Sequence, residues 1–134
     1  MRIAEPEDPI ETAEADGWSV LLIKGKVMGF IAASRPFLTV RGLLALRPER
    51  RFVTVDMGAV KFVCNGADVM APGVVDADLT VKSGDLVWVR DEKNKQPLAV
   101  CEALMSGEEM IVAESGKAAK SLHFVGDKLW KMDE

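Results

Sequence analysis

The residues with most capacity for chemistry are those that could hold an anion. Gly58 and Ala59 follow a β-prone run, Phe52–Val55, and open a short helix that extends to Asn65. The first amides of a helix have no partner within it and sit at the positive end of its dipole, so a phosphate can dock on them. Gly58 would let a ligand approach the backbone closely. The competing reading is a plain strand-to-helix turn, with Asp56 capping the same donors. Lys61 and Asn65 lie four residues apart on this helix, where Lys61 either reaches a phosphate or stands in solvent. Arg35, Arg41, Arg47, Arg50 and Arg51 form a second candidate set. The planar fork of Arg suits phosphate oxygens, and several such contacts would make binding steeply salt-dependent. The alternative is that they are dispersed over the surface.

No catalytic constellation is visible. Acid–base catalysis needs paired groups with separated pKa values, and the acidic residues here are scattered. Nucleophilic catalysis needs a base beside a thiol or hydroxyl. The chain has one histidine, His123, next to no obvious Ser or Cys, and it reads as structural. There is no P-loop and no GxGxxG, so no nucleotide cofactor is expected. Cys64 and Cys101 read as small core residues. With a single His and no ligand spacing, no metal site is expected. The sequence therefore predicts a binding module and not an enzyme.

The totals agree. A chain of 134 residues is one domain of usual size, or one with a small appendage. Two isolated thiols fit a reducing, cytoplasmic setting better than a disulfide framework. No apolar run approaches the ~20 residues of a membrane span, and the acidic, Pro-containing start predicts no secretory signal. The net charge is −4, with an uneven distribution. Residues 1–16 hold six acidic residues against Arg2, and residues 17–51 hold seven basic residues against Glu49. A basic segment behind an acidic lead hints at nucleic-acid contact, although a solvated face would look the same.

The elements that must position these residues are short. Residues 1–16 read as an acidic, flexible lead. Residues 17–50 read as a small α+β extension: a hairpin, Trp18–Ile23 and Val27–Ala33, turning at Lys24-Gly25-Lys26, with Gly29 a candidate bulge. A helix follows from an N-cap at Thr39 to Leu46, its apolar face on Val40, Leu43 and Leu44, with Arg41 and Arg47 left largely toward solvent. Gly42 should cost this helix about 1 kcal/mol against Ala. From residue 51 onward, many short strands with turns between them suggest a small barrel. Val69–Val75 is a strand broken at Pro72-Gly73. Leu86–Arg90 alternates, with Val87 and Val89 on one face and Leu86 and Trp88 on the other. Leu98–Met105 is its partner, and Leu122–Val125 with Leu129–Met132 is expected to close the barrel as a hairpin around Gly126-Asp127. Trp88 and Trp130 read as barrel packing, with base stacking the alternative for Trp130.

The run V-D-M-G-A-V-K-F-V-C-N-G-A-D-V-M-A-P-G-V, Val55 to Val74, closely resembles the signature of PUA domains. Gly116–Met132 resembles the closing hairpin of the branch containing the malignant-T-cell-amplified-sequence proteins, ligatin-type translation factors and their archaeal single-chain relatives. Phe37–Pro48 is similar to that branch's P-T-L-R-x-L segment and departs from it at Leu38. The resemblance implies a mainly β fold: a PUA-type pseudo-β-barrel over residues 51–134 behind a small α+β domain. It implies a module that binds structured RNA, either tRNA or rRNA, acting in translation at the small ribosomal subunit beside a separate SUI-type-domain protein. It also places the Gly58-Ala59 loop on the RNA face, with Pro72 and Gly73 on the neighbouring strand, where barrel-corner geometry is the competing and favoured reading. The expected RNA-binding set is Gly58, Ala59, Lys61, Asn65, Pro72, Gly73, Arg41, Arg47 and Arg51. The alternatives are a targeting subunit for an RNA-modifying enzyme, or a protein-interaction module that has lost RNA affinity.

Overall fold

The computed structural model describes residues 10–15, 18–24, 26–32, 35–46 and 48–131. Arg47 lies outside them. The chain opens with four strands, β1 (Ile10–Ala15), β2 (Trp18–Ile23), β3 (Lys26–Ala32) and β4 (Arg35–Leu38), which pair in sequence order as an antiparallel meander. Residues 10–15 were expected to belong to an unstructured lead; they pair instead residue for residue with β2, from Ile10 opposite Ile23 to Ala15 opposite Trp18. Glu11, Thr12 and Glu14 are exposed and Ala13 is half-buried, as suits an edge strand, and the many acidic residues hid this pattern.

The hairpin carries its bulge beside Gly29. Leu21 faces Gly29 and Leu22 faces Val27, so Met28 is the extra residue. The freed Met28 carbonyl accepts the Thr39 N–H at 3.0 Å. Helix α1 (Val40–Leu46) then starts where the Thr39 hydroxyl accepts the Gly42 N–H at 3.2 Å. A Cβ on Gly42 would stand 2.1 Å from the Met28 oxygen. Glycine is thus required by the close approach of the helix to the bulge, whatever it costs the helix.

The second unit runs β5 (Phe52–Val55), α2 (Met57–Val63), β6 (Val69–Met70), a 3₁₀ turn at Ala71–Gly73, β7 (Val74–Ala77), β8 (Leu86–Asp91), β9 (Pro97–Ala103), α3 (Gly107–Val112), β10 (Lys117–Phe124) and α4 (Lys128–Lys131). Its six strands are ordered β6-β10-β9-β8-β5-β7 in one curled sheet, and only the β5–β8 pair is parallel. The closing hairpin expected around Gly126-Asp127 is absent. β10 is one eight-residue strand, and Asp127 instead caps α4: its carboxylate accepts the Trp130 N–H at 2.8 Å and the Phe124 N–H at 2.9 Å. An Asp after a Gly serves a turn or a helix cap equally well, and tertiary packing of Leu129 selects the helix. Helix α3 was not anticipated, although Ser106-x-x-Glu109 is a capping box, with both reciprocal bonds formed.

Strands β8 and β9 are covered on both faces. Val87, Val89, Ala99 and Cys101 join a core with Val53, Val63 and Met110. Leu86, Trp88 and Val100 join a second core with Phe30, Leu38, Leu43 and Leu129. The second core binds the front sheet and α1 to the curled sheet. Each large apolar side chain buried there contributes about 1.5–3 kcal/mol.

His123 pins this seam. It is fully buried, its Nε2 accepts the Val40 N–H at 3.0 Å, and its Nδ1 lies 2.8 Å from an Asp127 oxygen. A backbone N–H can only donate, so Nε2 is the bare nitrogen and Nδ1 carries the proton toward Asp127. Burial works against the Asp127 charge, but the His123, Trp130 and Phe124 donors outweigh it and hold the carboxyl below its ordinary range.

Candidate nucleic-acid interface

The loop from β5 into α2 folds back onto the 3₁₀ turn. The Asp56 N–H donates to the Gly73 carbonyl at 2.9 Å. A Cβ on Gly73 would come within 3.1 Å of the Ala59 Cβ, so the two backbones meet where both side chains are minimal. Beside them opens a groove of ≈ 610 Å³ lined by Gly58, Ala59, Phe62, Met70, Pro72 and Gly73, with Asp68 and Lys117 at its polar side. Phe62 and Met70 are 57% and 47% exposed, unusually open for such side chains. Lys61 lies with its ammonium 5.1 Å from the Phe62 ring centroid.

The helix start is not an open anion cradle. The Ala59 N–H donates to Asp56 Oδ1 at 2.9 Å and the Met57 N–H to Glu92 Oε2 at 3.1 Å. The reason is local for Asp56, a side-chain N-cap. For Glu92 it is tertiary: the parallel register sets Val55 beside Asp91, and the next residue reaches across to the helix. Two carboxylates therefore hold the Met57 and Ala59 amides, and at Ala59 it is the competing reading, the Asp56 cap, that the structure shows. What remains for a ligand is the Gly58 N–H, an exposed aromatic ring and apolar walls, with Lys61 beside the ring and Lys117 at the edge. Lys117 also pairs with Asp68 at 3.1 Å. The Ser121 N–H chiefly, and Lys117 after it, hold Asp68 below the usual carboxylate range against partial burial.

The structure thus brings together Gly58, Ala59, Pro72 and Gly73, with Lys61 alongside. Asn65 follows the end of α2, is exposed, and does not line the groove. The arginines do not gather there. Arg41, expected largely in solvent, is half-buried, stacked 4.2 Å from the Trp130 ring centroid, and donates to the Trp130 carbonyl. Trp130 is therefore neither a free stacking platform nor simple barrel packing. Arg51 sits at the opposite end of β5 from the groove, 3.6 Å from Asp85. Phe62, Met70, Asp68 and Lys117 were missed. Phe62 was legible, four residues after Gly58 and so on the same helix face. The Asp68–Lys117 pair spans 49 residues and left no local signal.

The remaining reactive groups are spent on structure. Burial pushes the Cys101 thiol up to about 12, and burial with the nearby Asp91 charge also raises Cys64. Among the described residues no cluster of His, Cys, Asp or Glu is placed to hold a metal ion, and no helix is long and apolar enough to cross a membrane.

A curled six-stranded sheet closed by short helices, with a groove where its first strand meets its first helix, defines the class of small pseudo-barrel modules used in RNA recognition. Within that class the chain belongs to the PUA domain family, whose model matches residues 51–125. It is 46% identical over 121 residues to an uncharacterised protein of Methanocaldococcus jannaschii, covering 90% of this chain and 75% of that one. It is 30% identical over 139 residues to malignant T-cell-amplified sequence 2 of Homo sapiens, covering 98% and 75%. Translation machinery-associated protein 20 of Saccharomyces cerevisiae is 34% identical over 84 residues, and there the match spans 58% of this chain and 46% of that protein. Among solved structures, a hypothetical protein of Pyrococcus horikoshii superposes with a TM-score of 0.87 at 41% identity, covering 96% of this chain and 81% of that one. A PUA domain protein of Thermoplasma acidophilum gives 0.83 at 36%, covering 95% and 83%. An archaeal box H/ACA sRNP Nop10-Cbf5 complex contains a chain matching at 0.54 and 30%, over 57% of this chain and 24% of that one.

Proposed function

We propose that this protein binds structured RNA, tRNA or the rRNA of the small ribosomal subunit, and serves translation by binding and not by catalysis, with a separate SUI-type-domain protein as partner. The observation that carries this reading is the groove between Gly58-Ala59 and Pro72-Gly73, lined by exposed Phe62 and by Lys117, with Lys61 over the Phe62 ring, inside the residues that match the family. An exposed aromatic ring beside apolar walls suits an unpaired base, and flanking lysines suit the adjoining phosphates. The translation assignment draws on the name of the yeast relative. The sole imidazole, with both nitrogens committed, favours a non-catalytic role.

The test is fluorescence anisotropy of the full chain with labelled tRNA and with a small-subunit rRNA fragment, across a salt series. Phe62→Ala should cost about 1–3 kcal/mol of binding if a base stacks there. Lys61→Gln and Lys117→Gln should each lower the salt slope by about one. Absence of binding at low salt, or variants indistinguishable from the parent, would end this reading. One observation favours a protein-interaction module instead: the Met57 and Ala59 amides at the groove both face carboxylates of the same chain.

A further inference from the structure

A second pocket, of ≈ 320 Å³, opens at the seam between the front sheet and the curled sheet. Arg35 reaches it from β4, and Arg50 and Arg51 reach it from the segment just before β5. The lining residues include three arginines and one acidic residue, Glu49. The apolar part of the lining comes from Phe37 and Leu86, both buried, together with Pro36 and Pro48.

The arginines are held before any ligand arrives. Arg35 Nη2 donates to the Gly84 carbonyl at 2.8 Å and lies 3.7 Å from Glu102. Arg51 Nη1 lies 3.6 Å from Asp85. Asp85 and Glu102 are outside the lining, and both separations exceed a hydrogen bond, so they orient the guanidinium forks without saturating them. The Arg50 guanidinium makes no hydrogen bond or ion pair among the described residues.

The backbone under these side chains is clamped in a costly shape. Arg51 adopts φ 61°, a left-handed conformation rare for a non-glycine residue. It is kept there by three bonds: the Arg51 N–H to Asp78 at 2.7 Å, the Trp88 N–H to the Arg51 carbonyl at 2.9 Å, and the Trp88 indole N–H to the Arg50 carbonyl at 2.7 Å. Strain that the surroundings over-determine is found at ligand clamps, because it fixes a side chain in advance of binding.

We propose that this seam pocket is a phosphate site, distinct from the groove, that takes a nucleoside monophosphate unit: the phosphate on the three guanidinium forks, and the sugar and base against Phe37, Leu86 and the two prolines. Arginine forks match phosphate oxygens bidentately. The volume lies at the small end of ligand pockets, which suits one nucleotide and not a longer stretch. The unit is either a free nucleotide or the phosphorylated end of an RNA.

The experiment follows backbone amide shifts of the full chain during titration with uridine 5′-monophosphate, with uridine as control. Saturable shifts at Phe37, Arg50, Arg51 and Leu86, with Gly58 and Gly73 unmoved, are expected for the monophosphate alone. Arg50→Gln, which breaks no hydrogen bond or ion pair of the guanidinium, should weaken this binding about tenfold. If that variant also weakens a 5′-phosphorylated oligonucleotide but not its unphosphorylated twin, the source is an RNA end. If it spares both oligonucleotides while losing the mononucleotide, the source is a free nucleotide. Uridine shifting the same amides equally, no saturable shift at millimolar monophosphate, or an unaffected Arg50→Gln would overturn the proposal. Because Gly58 and Gly73 report the groove separately, failure here leaves the groove reading standing.

Discussion

The seam between the two sheets should depend sharply on His123. Replacing it by Phe keeps a ring of similar size in a fully buried site, so packing changes little. Two polar losses remain. The Val40 N–H, at the buried start of α1, loses the acceptor that stood 3.0 Å away. An unsatisfied buried donor costs about 1–3 kcal/mol. The Asp127 carboxylate loses a donor at 2.8 Å, and a hydrogen bond to a charged group contributes about 1.5–3 kcal/mol. Asp127 keeps the Phe124 and Trp130 amides, so the lower part of that second range applies. The expected loss is about 3–5 kcal/mol, a large share of the ~5–15 kcal/mol typical of folded domains. With a urea m-value of about 2 kcal/mol/M, the midpoint should fall by about 2 M. Tryptophan fluorescence reads it directly, since Trp18 and Trp88 pack in the same core. Asp127→Asn should cost less in the His123→Phe background than in the parent, because the two residues share one bond. A midpoint shift below about 0.5 M, or strict additivity, would refute the assignment of Nε2 as acceptor and Nδ1 as donor.

Gly42→Ala should destabilise although alanine is the better helix former by about 1 kcal/mol, because its Cβ would stand 2.1 Å from the Met28 carbonyl oxygen; a net loss of about 1–3 kcal/mol is expected in thermal or urea unfolding, and a gain would show that the bulge yields. Acid should unfold the protein through Asp68, Asp78 and Asp127, all held below the ordinary carboxylate range. Their folded pKa values lie under the unfolded value of about 3.9, so their contribution is complete above that pH and is lost as pH falls from it through the lower folded values. Unfolding free energy measured from pH 6 to pH 2 should therefore be flat at first and drop below about pH 4, and Asp127→Asn should flatten that drop.

The local chemistry of this chain was written in single segments. Asp56 before Met57-Gly58 is a cap at any such junction, and Gly66 at φ 87° ends the helix because glycine tolerates that conformation. The alternation of Leu86 and Trp88 with Val87 and Val89 already specified two buried faces, and the Val55–Val74 run carried the family. These signals act between residues close along the chain, where spacing alone sets geometry. What the segments could not reveal is which group occupies which partner across the fold. Glu92 closes the Met57 amide only because β5 and β8 pair in parallel, and Arg41 is withdrawn from solvent only because α4 delivers Trp130 beneath it. His123 meets Val40 across 83 residues, and Arg35 meets Arg50 and Arg51 only after the front sheet docks. Such partners are chosen by packing of the two cores, and a charge pattern read along the chain says nothing about where that packing points each charge.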